Sequence, residues 1–374
     1  MLKQRLLFFS LLSLSSLWAN DTPQGNAPLN PKTCTGDKVV IAGVLYWNAN
    51  QEGLEYAIQT QTTVPVLNPT LDEIEELNNL RDAKYLAPHP HQSYGYRLGL
   101  GYQYPCDGWD IGVTWTHFHT SSFTEIETNI DTTFLLIPLW SAFAPAQGSV
   151  LFARGIKSSW KLKLNVIDFQ LGREFWTSKT LSLRSFIGLR YANINQALDL
   201  RQRGGSWSPR MSPEQMPFNN LIELDNDYKG VGPLAGLDTT WRLGCGWGLF
   251  SNWASSILYG RFNLSNHEEN QLIISPYDKI KILQTKSRFR ASRAVLDWML
   301  GIEWSSIFNN RSYAVTGRLG WEHHLYFHQN ELHRVNRSGD TAMVLPNNTG
   351  ENLYDQRRGN LGTQGLTFTL KIEF

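Results

Sequence analysis

The chain is short of cysteine, almost without net charge and, past its first twenty or so residues, free of long apolar runs. Each shortage removes a class of protein. Only Cys34, Cys106 and Cys245 occur in 374 residues. They form no CxxC pair and no zinc-ligand spacing, so no metal is expected. A net charge of +1 lacks the basic surplus of a nucleic-acid binder. No stretch of about 18 apolar residues follows the N-terminal segment, which excludes a transmembrane helix. The mean hydropathy of −0.32 fits a water-soluble protein. It fits a membrane β-barrel equally well, because half of every barrel strand is polar.

Aromatic residues are plentiful: 14 Trp, 14 Tyr and 18 Phe. Many sit near the ends of strand-like runs, where a barrel needs its interface girdles. The clearest run is the last. Leu366, Phe368, Leu370, Ile372 and Phe374 alternate with Thr367, Thr369, Lys371 and Glu373, a period-2 strand with one apolar and one polar face. A strand that ends on an aromatic residue at the carboxylate is the pattern of a closing strand in an outer-membrane barrel. Phe374 is therefore the expected signal to the barrel-assembly machinery. At the other end, Lys3 and Arg5 precede an apolar and serine-rich run to Trp18 and a small residue at Ala19, the layout of a secretory signal. The expected divisions are a signal peptide over 1–19, a periplasmic segment over 20–37 and a barrel over 38–374.

Alternating runs broken by turn residues predict four hairpins. The first joins Ser93–Tyr104 to a strand from Trp109 across Pro105–Gly108. The second joins about Trp160–Phe175 to Thr180–Asn195 across Thr177–Lys179. Here Trp160, Leu162 and Leu164 are read as lipid-facing, followed out of phase by Ile167, Phe169 and Leu171. That slip predicts a β-bulge near Asn165. The third joins Lys229–Arg242 to Trp247–Phe262 around Gly244–Gly246. The fourth joins Arg288–Trp304 to Tyr313–Phe327 around Asn309 and Asn310, with Leu296, Trp298, Leu300, Ile302 and Trp304 toward lipid.

Long polar segments separate the hairpins, at about 62–92, 121–157, 198–227, 264–286 and 328–360. Short turns on one side and long loops on the other match outer-membrane barrels, whose short turns are periplasmic. Both chain ends then lie in the periplasm. Four turns and five loops give ten strands, provided that 39–58 is one strand closing against 366–374. A turn at Asn50–Gly53 would instead hide a further strand in 131–156 and give twelve. The expected fold is an all-β, transmembrane, antiparallel up-and-down barrel with these two strand counts. Thr70–Glu73 fits a capping box before Leu71, Ile74, Leu77 and Leu80 at helical spacing. The segment 134–140 is too apolar for water. One of the two is expected to fold into or over the barrel mouth, or against neighbouring loops.

Several segments taken in order carry a family resemblance: 44–48 with 53–57, Gly108–Asp110, 160–165 with 171–175, 232–238, 258–261 and 320–324. The pattern resembles the pore-forming major outer-membrane proteins of Legionella and chlamydia-related bacteria, along nearly all of the mature chain. The resemblance implies an abundant envelope barrel acting as a porin, without catalytic residues or cofactor. Porin-like barrels often trimerise, so a homotrimer is one association to test.

The expected pore lining carries Arg97, Arg184, Arg190, Arg242, Arg293, Arg318 and Lys371 among the cations. The anions are Glu55, Asp110, Asp168, Asp238, Asp297, Glu303, Glu322 and Glu373. A ring of one sign would set ion selectivity; the mixture leaves selectivity open, and salt bridges within the lumen are the plainer account. Inward glycines, among them Gly95, Gly99, Gly101, Gly232, Gly236, Gly301 and Gly320, would leave room for water. His323 and His324 are adjacent on a strand and point to opposite faces, so they cannot share one metal ion. His117, His119 and His324 are placed near the outer strand ends, with Ser121 and Ser122 close by, and nothing in the spacing assembles them into a hydrolase. Cys34, Cys106 and Cys245 are all placed on the oxidising periplasmic side. Chlamydial envelopes resembling this system are held by disulfides, which makes a cross-link to another envelope protein the expectation. Free thiols or one internal bridge are the alternatives. The expected partners are outer-membrane lipid and small hydrophilic solutes. An open lumen and a plugged, adhesive or structural barrel remain the two functional readings.

Overall fold

A computed structural model describes residues 27–28, 36–61, 81–105, 108–128, 134–141, 153–205, 218–272, 279–308, 313–339 and 350–374. The expected signal peptide, Cys34, the expected helical pattern after Thr70, Cys106, and Asn309 with Asn310 lie outside the described residues.

Ten strands close into a ring. They are β2 (Asp37–Gln51), β5 (Ser93–Gln103), β6 (Trp109–Glu127), β8 (Gly155–Trp176), β9 (Leu181–Gly205), β10 (Phe218–Gly244), β11 (Trp247–Leu272), β12 (Lys279–Phe308), β13 (Tyr313–Asn330) and β16 (Gly359–Glu373). Each pairs antiparallel with its ring neighbours, and β16 closes on β2 with Glu373 opposite Val39 and Leu366 opposite Tyr46. The backbones of Lys38 and Phe374 exchange hydrogen bonds of 2.7 and 3.0 Å. A two-residue strand, β1 (Ala27–Pro28), pairs with Phe175 and Trp176 outside the ring.

The ten-strand expectation holds, but the first strand is shorter than expected. It stops at Gln51, and the chain turns at Gly53, whose φ of +81° suits glycine. Ala57 and Ile58 belong to β3 (Ala57–Gln61), outside the barrel wall. There β3 is the centre of a small sheet with β4 (Arg81–Leu86) and β7 (Phe134–Pro138). A hairpin of β14 (His333–Gly339) and β15 (Gly350–Gln356) lies in the last long segment. The hidden strand at 131–156 therefore exists as β7, but it does not join the barrel.

The turns follow local chemistry. Between β10 and β11, Cys245 and Gly246 have φ of +52° and +83°, the double positive φ that a tight two-residue hairpin requires. After β8, the Ser178 hydroxyl accepts from the backbone N–H of Leu181 at 3.1 Å. The strands run well beyond their expected ends, so the long segments are mostly wall rather than loop. A membrane crossing takes about 9–11 residues, yet β10, β11 and β12 have 27, 26 and 30. On the opposite side β5 has 11 and β2 and β16 have 15 each. The barrel wall is therefore tall on one side and low on the other.

The lower part of every strand is lipid-facing in pattern. Val44, Leu100, Ile187, Val231, Ile257, Leu300 and Phe368 are half or more exposed, and Trp109, Trp115, Trp241, Trp247, Trp298, Trp304 and Trp321 stand outward beside them. Higher up the pattern reverses. Trp160, Leu162, Leu164 and Val166 on β8 are buried inside the barrel, while Ile167 and Phe169 are exposed outside. No register shift occurs near Asn165; His117 and Asn193 pair with it on either side. The expected bulge is absent. Trp160, Leu162 and Leu164 do not face lipid; they face a protein core above the membrane.

Candidate functional site

The lumen has two layers. The upper layer is built on an apolar cluster, with buried polar pairs such as Gln196–Gln51 and Asn220–Glu268 set into it. Trp47, Phe118, Trp160, Ile194, Leu198, Leu200, Leu224, Tyr228, Phe262 and Tyr326 pack there with Tyr56, Leu136, Leu139 and Trp140 from the mouth sheet as one cluster. Polar ties brace the mouth sheet internally, to the wall strand β9 and to the hairpin strand β14. The Trp140 indole donates to Glu55 O at 2.8 Å, and Gln202 Nε2 donates to Trp140 O at 3.0 Å. Arg334 Nε donates to Leu139 O at 2.8 Å. Burial, and then the nearby Arg357 charge, hold the Arg334 guanidinium below its usual pKa. The apolar segment 134–140 thus closes over the mouth and packs on the barrel interior.

Below this plug lies a belt of charged groups. Arg190 on β9 grips Asp168 on β8 with two bonds, 2.7 and 2.8 Å, and also donates to Asp297 on β12. Asp297 contacts His324 Nδ1 at 2.6 Å, and His324 Nε2 stands 3.2 Å from Glu322. Glu322 then pairs with Arg97 on β5 at 2.8 Å, and Arg97 donates to Thr116 on β6 at 3.0 Å. Thr367 on β16 donates to Glu322 at 2.8 Å and accepts from the Trp47 indole of β2 at 2.9 Å. The contacts run from wall to wall, so the belt ties nearly every strand of the ring at one level.

Lower still, Arg184 holds Asp110 with two bonds of 2.6 and 2.8 Å and Asp238 at 2.7 Å. Arg318 pairs with Glu303 at 2.9 Å and Lys371 with Glu373 at 2.6 Å. Arg97, Asp110, Asp168, Arg184, Arg190, Asp238, Asp297, Arg318, Glu322, His324 and Lys371 surround one cavity of about 280 Å³. Small inward residues make space for the long ones. Gly232 sits opposite Arg190, and a Cβ there would lie 1.8 Å from Ile257 O. It is close approach of neighbouring backbone that requires Gly232, beside the long Arg190 side chain.

A family model described as Legionella pneumophila major outer membrane protein precursor matches residues 31–374. The chain belongs to that family. It is an outer-membrane β-barrel protein, as the exposed apolar band and the ring of strands require. No curated protein matches it. Similar solved structures include the outer membrane protease OmpT from Escherichia coli, at 10% identity over 91% of this chain and 98% of that one, with a TM-score of 0.36. The P. putida toluene transporter TodX matches at 8% identity over 93% and 92%, TM-score 0.26. A Pseudomonas aeruginosa FadL homologue matches at 8% over 91% and 90%, TM-score 0.23. Likeness at this level lends no activity to the present chain.

In this major outer membrane protein, five of the expected lining residues stand apart from the cavity; one of them, Glu373, is buried beside Lys371. Arg242 is exposed at the lower rim, stacked 4.4 Å over Trp176. Arg293 points inward but higher, against Phe262 and Glu331 in the apolar layer. Glu55 lies at the mouth, paired with Arg357 at 2.8 Å. Glu303 is buried behind Arg318. His324 sits in the middle of the belt and not near an outer strand end. His117 and His119 point outward, with His117 bonded to Asn165 at 2.8 Å. Among the described residues no group of His, Cys, Asp and Glu is arranged to hold a metal ion. Cys245 is an exposed free thiol.

Proposed function

We propose that the barrel is an outer-membrane diffusion channel for small hydrophilic solutes and ions, closed in this conformation by its own mouth sheet. The charged cavity at membrane depth carries this reading. Replacing buried ion pairs by apolar residues of similar size is often neutral or stabilising, so a wall-to-wall set of them suits a space that admits water. Its mixed signs favour weak selectivity between cations and anions. Opening requires the sheet of β3, β4 and β7 to move away from Trp160, Leu198 and Leu200. The lining residues screen and position solutes; no reaction and no cofactor enter.

The apolar layer itself favours the second reading, a structural or adhesive barrel acting through its outer surface. Planar-bilayer recording separates the two. In the channel reading, wild-type protein shows brief, infrequent openings, and Leu136→Ser/Trp140→Ser raises the open fraction by loosening the plug. Silence from both proteins over a range of salt concentrations selects the structural barrel.

An abundant envelope role would also engage other chains. We expect barrel-assembly machinery to read the Phe374 end, and Cys245, in the exposed turn below the barrel, to be open to a disulfide with another envelope protein. Non-reducing electrophoresis of intact envelopes should show a slower band that Cys245→Ser weakens. A monomer band alone removes the cross-link, and size measurement of the purified barrel decides whether a homotrimer forms.

A further inference from the structure

On β10 and β11 the outward row changes chemistry within one step. Val231 and Tyr259 stand opposite each other, 53% and 55% exposed, above Ile257 at 59%. The next outward pair up is Lys229 and Arg261, and Arg261 is also opposite Arg290 on β12. Three exposed cations therefore stand side by side at the upper edge of the lipid-facing band. Like charges directly opposite in a sheet repel. The nearest outward carboxylate, Asp227, pairs with none of them; it accepts a 2.8 Å bond from Asn195 on the β9 side. None of the three cations has a side-chain partner among the described residues. Edge protection accounts for the lysines on the upper part of β12, which meets β13 only from Val295 downward. It does not account for Lys229 and Arg261, whose strands are paired on both sides.

We propose that Lys229, Arg261 and Arg290 bind the phosphorylated headgroup of an outer-leaflet glycolipid, with its acyl chains against Tyr259, Ile257 and Val231. A phosphomonoester brings about −1.5 to −2 charge and three acceptor oxygens. Two arginine forks and an ammonium match that demand, because guanidinium groups bond such oxygens in pairs. The exposed apolar surface continuous with the cations selects a lipid over free phosphate. Tyr259, with an apolar ring and a polar tip, suits the level where acyl chain meets headgroup.

Native mass spectrometry of the purified full-length barrel tests this. The probes are bis-phosphorylated lipid A, the same lipid stripped of phosphate, and inorganic phosphate. The expected result is a preference of about tenfold or more for the phosphorylated lipid, the scale of one charge-assisted contact. Lys229→Gln/Arg261→Gln/Arg290→Gln should erase that preference, whereas Lys38→Gln/Lys179→Gln on the opposite side should keep it. Equal binding of both lipids by wild type, a preference that survives the triple substitution, or equally tight binding of inorganic phosphate overturns the site. Should the triple variant fail to fold, Arg261→Gln alone should reduce the preference, and no reduction counts against the site. The wild-type comparison of the two lipids needs no variant.

Discussion

On β9, Ile187 and Leu189 point outward and are 64% and 56% exposed, whereas Ile194, Leu198 and Leu200 higher on the same strand point inward and are sealed. The backbone alternation is unbroken between them. What changes is the solvent on each side. Below, lipid lies outside and a charged lumen inside. Above, water lies outside and packed protein inside. A strand has only two faces, so crossing the membrane surface exchanges their roles without any change of geometry. The lower half behaves as a membrane barrel and the upper half as a soluble one, and both are made from the same strands.

The largest expected effect tests the upper half as a true core. Trp160→Ala should destabilise the barrel by about 3–5 kcal/mol, the usual cost of deleting a buried aromatic side chain, measured by denaturant unfolding in detergent micelles. A loss below about 1 kcal/mol, the level of an ordinary surface change, would mean that the upper layer is not packed. Next comes a matched pair on one face of one strand. Ile187→Lys should cost about 2–4 kcal/mol in lipid vesicles, as for a cation on the lipid side of a barrel. Ala197→Lys, above the membrane and between Lys161 and Asp225 on the neighbouring strands, should change stability by no more than about 0.5 kcal/mol. Equal costs at the two sites would move the boundary between the halves. The smallest effect concerns the exposed pair Lys157–Glu125, 2.8 Å apart on the upper outer wall. Lys157→Ala should cost less than about 1 kcal/mol and leave conductance unchanged, which single-channel recording would check.

Much of the lower half was legible in the sequence. The final strand, the four hairpins and the lipid row Leu296, Trp298, Leu300, Ile302 and Trp304 all follow from period-2 alternation and turn residues. The upper half was misread for the same reason. Alternation tells which residues share a face, and it does not tell which face meets water. Trp160, Leu162 and Leu164 therefore passed for lipid contacts, and the reversal of solvent looked like a bulge at Asn165. The break at Gly53 was visible as an alternative turn, but the destination of Ala57 and Ile58 depended on pairing with Ile137 and Pro138, far along the chain. The belt had the same limit. Glu322 and Arg97 could each be assigned to the lumen, but their contact spans 225 positions and depends on closure of the ring. His324 was assigned inward correctly, and its place between Asp297 and Glu322 carried no local signal.

The reversal along β8 to β12 also bears on how the chain travels before it inserts. As an unclosed sheet, these strands would show grease on one side at their lower ends and on the opposite side at their upper ends. A carrier that shields a single face would leave the other sticky patch bare. Only ring closure and capping of the mouth put both patches out of reach of water at once.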